Sequence, residues 1–163
     1  MIVTMRPAAG PADLRRVVEL VRAFPEEQLH VGDVPYRLAS WALESERNAR
    51  LWCDPDGNLL AFAIIQLPWQ TLDYFVHPAA RELGIETALM VWVAERMQEL
   101  AAERGAPVEL YVHVRAEHRD RVTLLAQHGF APASWAVLHM GRQLTDVIPE
   151  PRLPEGFALR SLR

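Results

Sequence analysis

Apolar residues recur along this chain in two rhythms, one of strands and one of helices, and their order sketches a fold. Val3 to Arg6 reads as a short strand that Pro7 ends. Gly10-Pro11-Ala12-Asp13 then opens a helix, in which Leu14, Val17, Val18 and Val21 form a one-sided stripe that Pro25 stops. Asp33 suits the N-cap of a second helix whose inner face would carry Val34, Leu38, Trp41 and Ala42. Ala49 to Cys53 and Leu59 to Leu67 flank Asp54-Pro55-Asp56-Gly57-Asn58, a turn-rich connection that predicts a β-hairpin. Leu59 to Leu67 is apolar at both parities, so this strand should be covered on both faces, with Pro68 kinking or ending it.

Thr71 to Val76 is a further strand. After a short loop, Ile85, Leu89, Val93, Met97 and Leu100 recur at helical spacing, and Gly105 with Pro107 closes that helix. Val108 to Val114 reads as a strand, Glu117 to His128 as a helix ending at Gly129, and Ser134 to Leu144 as a last strand. The tail differs in kind. Pro149, Pro151 and Pro154 argue for an extended linker, followed by GFALRSLR, which looks like a strand opening. Residues 1–144 are therefore expected to form one domain, and residues 145–163 a linker with the first strand of a second unit. A C-terminal strand that pairs with this domain or with a dimer mate is the competing expectation.

Composition narrows the class. At 163 residues, half of them apolar, the chain suits a single globular domain. All 17 basic residues are Arg, interspersed with 21 acids for a net charge of −4, so nucleic acid is a poor partner. The longest apolar run, Leu59 to Ile65, falls short of a membrane span, and the start lacks an apolar signal core; the expected location is cytoplasmic. Cys53 is alone, which excludes an intrachain disulfide and suits a buried strand thiol. The six histidines show no HxxxH pairing, so no metal is assigned. Of Trp41, Trp52, Trp69, Trp92 and Trp135, at least three are expected in the core.

The chemistry concentrates between Asp73 and Arg104, where a strand, a tight loop and a long helix follow one another. A helix N-terminus placed after a strand presents free N–H groups and the positive end of a dipole, an arrangement that holds anions such as pyrophosphate. The string Val76-His77-Pro78-x-x-Arg81-x-x-Gly84-Ile85 resembles the acetyl-CoA loop of the GNAT N-acetyltransferase superfamily, and His128-Gly129-Phe130 arrives where that resemblance expects a Gly-Phe pair. The linker and strand opening at the end resemble the first unit of a tandem, mycothiol-synthase-like GNAT protein.

The resemblance implies an α/β fold with a mixed β-sheet splayed near Thr71–Val76 and helices on both faces. Acetyl-CoA would enter the splay, its pantetheine pairing with backbone near Phe75 and Val76. Its pyrophosphate would lie on the N–H groups from Leu83 through Gly84, Ile85, Glu86 and Thr87 to Ala88, flanked by Arg81. The acceptor would be the primary amine of a small molecule or peptide, attacking the thioester directly. Asp73 is the candidate base and His113 a second one acting through water. Phe24 and Trp41 would shape the acceptor pocket. His77 reads as a structural turn residue and Tyr111 as a conceivable acid. The partner would be a second GNAT unit or a homodimer mate.

Three positions depart from the family pattern. Arg-x-x-Gly-x-Gly/Ala continues here with Glu86, whose charge opposes a bound pyrophosphate by on the order of 1 kcal/mol at roughly 6 Å and an effective dielectric near 40. The same carboxylate suits a helix N-terminus, by about 0.3–1 kcal/mol. A frequent Tyr that protonates the leaving thiolate is replaced by Leu125, and a frequent Asn by His118. These departures define the alternative: a catalytically silent GNAT-like module that binds CoA weakly or not at all and scaffolds an active partner.

Overall fold

The computed structural model describes residues 2–27, 45–137, 145, 147, 152–158 and 160. The chain divides into two units after Phe130. In the first, four strands, β1 (Thr4–Pro7), β2 (Ala49–Cys53), β3 (Leu59–Gln66) and β4 (Thr71–Val76), form an antiparallel sheet in the order β1-β2-β3-β4. Helices α1 (Gly10–Ala23), α2 (Ile85–Arg104) and α3 (Arg119–Gln127) complete it. The β2–β3 hairpin turns where Asp54 accepts from the Asn58 N–H through Oδ1 at 2.7 Å and from Gly57 through its carbonyl at 3.0 Å.

The double-parity apolar run explains why β3 is interior. Ala61, Ala63 and Ile65 join Leu72, Tyr74 and Val76 in a core with α2 residues such as Leu89, Trp92 and Val93. Phe62, Ile64, Leu51 and Phe75 face the other way and pack on Val17, Leu20 and Val21 of α1. Burying each large apolar side chain contributes about 1.5–3 kcal/mol, so the sheet is held from both faces. The α/β arrangement with helices on both faces is as the sequence led one to expect. Trp52 and Trp92 are buried and meet edge-to-face at 6.3 Å, whereas Trp69 and Trp135 are half exposed. Two of the four described tryptophans are thus core residues, and Trp41 lies outside the described residues.

Two charged clusters fix the helices. Asp13 is buried near the start of α1, bonded by Arg6 at 2.5 and 2.7 Å and by the Ala9 N–H at 2.8 Å. Near the end of α2, buried Arg96 donates to Asn48 Oδ1 at 2.9 Å, Glu99 at 2.7 Å and Glu103 at 3.1 Å. Arg47 reaches the same two carboxylates, which ties α2 to the short 3-10 turn Glu46–Asn48 ahead of β2.

One expected element is reduced. Instead of a strand over 108–114, there is a single parallel bridge between Tyr111 and Thr71. Tyr111 donates to the Gln70 carbonyl at 2.7 Å and accepts from the Leu72 N–H at 2.9 Å, and the ladder stops there. The alternating Val108, Leu110, Val112 and Val114 still pack against the α2-side core. Farther along the same edge, the outward Tyr74 carbonyl accepts from Arg121 instead of from a strand. This divergence is the splay; the four named strands are antiparallel throughout, and the parallel pairing expected of a mixed sheet is confined, among the described residues, to this isolated bridge.

In the second unit, residues 131–137 take no regular structure beyond a bend, where Pro132 and Ser134 favour turn geometry, so this part of the expected Ser134–Leu144 strand is not one. The rest of that strand and the expected helix after Asp33 lie outside the described residues. A turn near Glu155 and Gly156 is closed by the Phe157 N–H donating to the Pro154 carbonyl at 3.1 Å. No helix among the described residues is long and apolar enough to cross a membrane.

Candidate functional site

Strand β4 ends in a corner built by three residues. His77 Nδ1 accepts from the Ala79 N–H at 3.1 Å and caps a 3-10 turn over Pro78–Leu83. Gly84 ends that turn with φ +72° and serves as the N-cap of α2. A residue with a Cβ is strained at that φ, and the space on the Cβ side is open. Gly84 thus swings the chain directly from the turn into a twenty-residue helix.

No side chain caps that helix. The Ala88 N–H donates to the Gly84 carbonyl at 3.1 Å, whereas those of Ile85, Glu86 and Thr87 have no acceptor among the described residues. Three helical donors therefore point out of the N-terminus, fewer than the six residues of the sequence string, because Leu83 and Gly84 precede the helix and Ala88 is already inside its ladder. Glu86 is half-buried in the first turn. Arg81 is held by the Glu27 carboxylate at 2.7 Å. Leu83, Gly84, Ile85 and Ala88 also border an apolar groove of about 530 Å³ toward the β1 edge, with Met5, Trp52 and Trp92.

The edge of β4 carries the complementary groups. Because Leu72 donates outward to Tyr111, alternation sends the N–H and C=O of Asp73 and Phe75 into the β3 ladder and those of Tyr74 and Val76 outward. The outward pair is Tyr74 and Val76, with Phe75 contributing its ring to the α1 face. There Phe75 stacks on Phe24 at 5.5 Å, and Phe24 meets His77 edge-on at 4.9 Å.

Asp73 shares that α1 face, and its carboxylate accepts from the amide of Gln66. Gln66 and Thr71 are buried opposite each other at the end of the hairpin, and Gln66 Oε1 and Thr71 Oγ1 have no hydrogen-bond partner among the described residues. Asp73, Phe24, Phe75 and His77 are thus gathered at the α1 side of β4. His113 is half-buried on the segment beyond the splay. The Tyr111 hydroxyl donates to Glu109 at 2.8 Å, and this bond holds the phenol protonated above its ordinary range. Leu125 is buried in the α2-side core and offers no proton.

The sequence reading missed Gln66, Glu27 and Arg121. Two left a trace: Gln66 ends an otherwise apolar strand, and Arg121 stands four residues before buried Leu125 on α3.

The comparisons agree with this geometry. The model of the acetyltransferase (GNAT) family matches residues 14–130, and the chain belongs to that family. It is 29% identical over 154 residues to the mycothiol acetyltransferase of Nocardioides sp. (strain ATCC BAA-499 / JS614), covering 92% of this chain and 46% of that protein. The chain thus spans about half the length of that relative. Among solved structures, the GCN5-related N-acetyltransferase from Sphaerobacter thermophilus superposes with a TM-score of 0.62 at 26% identity, over 80% of this chain and 44% of that one. AAC(6')-Iy, in complex with the bisubstrate analogue CoA-S-monomethyl-acetylneamine, shares the fold with a TM-score of 0.54 at 16% identity, over 87% of this chain and 99% of that one. These matches are acetyltransferases and lend the silent-module alternative no support.

Proposed function

We propose that this chain is an acetyl-CoA-dependent N-acetyltransferase domain that passes an acetyl group directly to the primary amine of a small molecule or peptide. The observation that carries the reading is the corner after β4: a strand edge released at Thr71, a left-handed glycine, and three unsatisfied N–H groups at the start of α2. These donors suit a pyrophosphate, since N–H groups at a helix start and the dipole both favour an anion. The outward groups of Tyr74 and Val76 suit an extended amide-bearing arm, as an added strand would. The cofactor, when bound, supplies an activated acetyl thioester.

The remaining chemistry falls to side chains. The Val76 N–H is the donor placed to polarise a carbonyl at the strand edge. Asp73, oriented by Gln66, takes the proton from an acceptor ammonium, directly or through water. Phe24 and Phe75 supply the apolar wall beside it. AAC(6')-Iy, which shares the fold, has been captured with a bisubstrate analogue built on CoA, which supports the cofactor class. Residues 1–144 are read as the acetyltransferase domain and residues 145–163 as a linker toward a second unit, in keeping with the greater length of the mycothiol acetyltransferase relative.

The test is calorimetric titration of acetyl-CoA, able to detect a Kd of about 100 μM, followed by thiol release across a panel of amines. Saturable binding with amine-dependent release is expected. Asp73→Asn should lower kcat by roughly 10²-fold or more with acetyl-CoA binding unchanged. Absence of saturable binding would overturn the reading.

A further inference from the structure

The edge that would receive an acyl-CoA arm is already in use. Arg121 of α3 donates through Nη2 to the outward carbonyl of Tyr74 at 3.2 Å, and its Cζ stands 4.7 Å over the Tyr74 ring. Its Nε lies 3.5 Å from the Tyr74 hydroxyl, and Nη1 donates to the Glu27 carbonyl at 3.1 Å. Glu27 therefore holds two cations at once, Arg121 through its carbonyl and Arg81 through its carboxylate.

Resting on the acyl-CoA reading above, we propose that Arg121 is an intramolecular occupant of the β4 edge that an acyl-CoA arm must displace. In this role it sets the affinity of the site for the arm and not for the nucleotide end. The Tyr74 carbonyl is an outward acceptor of β4 beyond the Tyr111 bridge, and a guanidinium and an amide N–H cannot both take it along the same line. Among the described residues, the partners of Arg121 are two carbonyls, a phenol and a ring, all uncharged, so moving it breaks no ion pair.

The experiment titrates CoA and ADP separately into the full chain and into Arg121→Ala; ADP has the pyrophosphate without the arm. Arg121→Met, which keeps aliphatic cover on Tyr74 but cannot donate, is run in parallel, with thermal melts to verify folding. Loss of the competing bond should tighten CoA by roughly tenfold in whichever variant folds, with ADP affinity unchanged within about twofold. Unchanged or weaker CoA binding, with ADP still bound, would overturn the role of Arg121 and leave the acyl-CoA reading standing. Equal tightening of both ligands would also overturn it, because the effect would not lie at the arm. Failure of CoA and ADP to bind any form would sink the acyl-CoA reading and this inference together.

Discussion

Helices α1 and α2 begin in opposite ways. At the start of α1, Pro11 removes one donor, and the Ala9 N–H is taken by buried Asp13, itself bonded by Arg6 and Arg16. At the start of α2, a bare glycine leads in, three N–H groups lack acceptors, and the one acid in the first turn is half-buried Glu86. The first end is closed by a buried, ion-paired carboxylate, although the Gly10 and Ala12 N–H groups still lack acceptors among the described residues; the second has no such carboxylate and stands open. The far end of α2, with Arg96, Asn48, Glu99 and Glu103 mutually bonded, follows the closed rule as well. First-turn donors without acceptors among the described residues occur in α1 as well; what sets the α2 start apart is its place directly after β4, the edge strand of the four-stranded sheet.

The largest effect should come from breaking the closed end. Asp13→Asn is expected to cost about 2–3 kcal/mol at neutral pH, because the bonds to Arg6 lose their charge. Those hydrogen bonds hold the Asp13 carboxyl far below the ordinary carboxylate range, against burial, which acts in the other direction, and with the Ala9 N–H assisting. A depressed carboxyl contributes stability that is fully present above its unfolded value of about 4 and is lost as the pH falls from there toward the folded value. Urea midpoints should therefore drop for the parent chain as the pH is lowered below about 4, while Asp13→Asn shows a flatter acid limb. Parallel acid limbs in the two proteins would refute this account of the α1 start.

The open end should respond less in stability and more in binding. Gly84→Ala meets no neighbouring atom, so its cost is the left-handed backbone alone, about 1–2 kcal/mol. If the chain relaxes by rotating the first turn of α2, the fan of N–H groups turns with it, and acetyl-CoA binding should weaken several-fold. Denaturation and titration of the same variant separate the two effects. A variant as stable as the parent would show that the turn does not need its glycine.

Much of this architecture was legible along the chain because it rests on local signals. The double-parity run Leu59–Ile65 announced an interior strand, and Gly105 marked the end of α2 with its positive φ. The corner residues His77, Arg81 and Gly84 stood out by spacing. What could not be read was set by contacts across the fold. Val108–Val114 has strand alternation, yet among the described residues it pairs with β4 only at Tyr111, and farther along that edge Arg121, distant from β4 in sequence, takes the Tyr74 carbonyl. The pairing of Arg81 with Glu27 and of Gln66 with Asp73 likewise depends on which elements meet. Phe75 and Ala88 show the finer limit. Alternation assigns the Phe75 backbone to β3, and the first helical turn claims the Ala88 N–H, neither of which a motif string reveals.

The smallest expected effect tests whether the open end is tuned by its own acid. Glu86 opposes a phosphate but favours the helix, so replacing it should move affinity and stability in opposite directions. Glu86→Gln removes the charge and keeps the length and helix propensity of the side chain. Acetyl-CoA affinity should rise about fivefold, the equivalent of one like-charge contact of roughly 1 kcal/mol, while stability falls by about 0.3–1 kcal/mol as the dipole loses its partner. The gain should shrink as salt is raised, since half-buried Glu86 is in part screened by the solvent ions. Titration at two ionic strengths reads this directly. Unchanged affinity at low salt would mean that the carboxylate lies aside from the anion, and the α2 start would then be open in charge as well as in geometry.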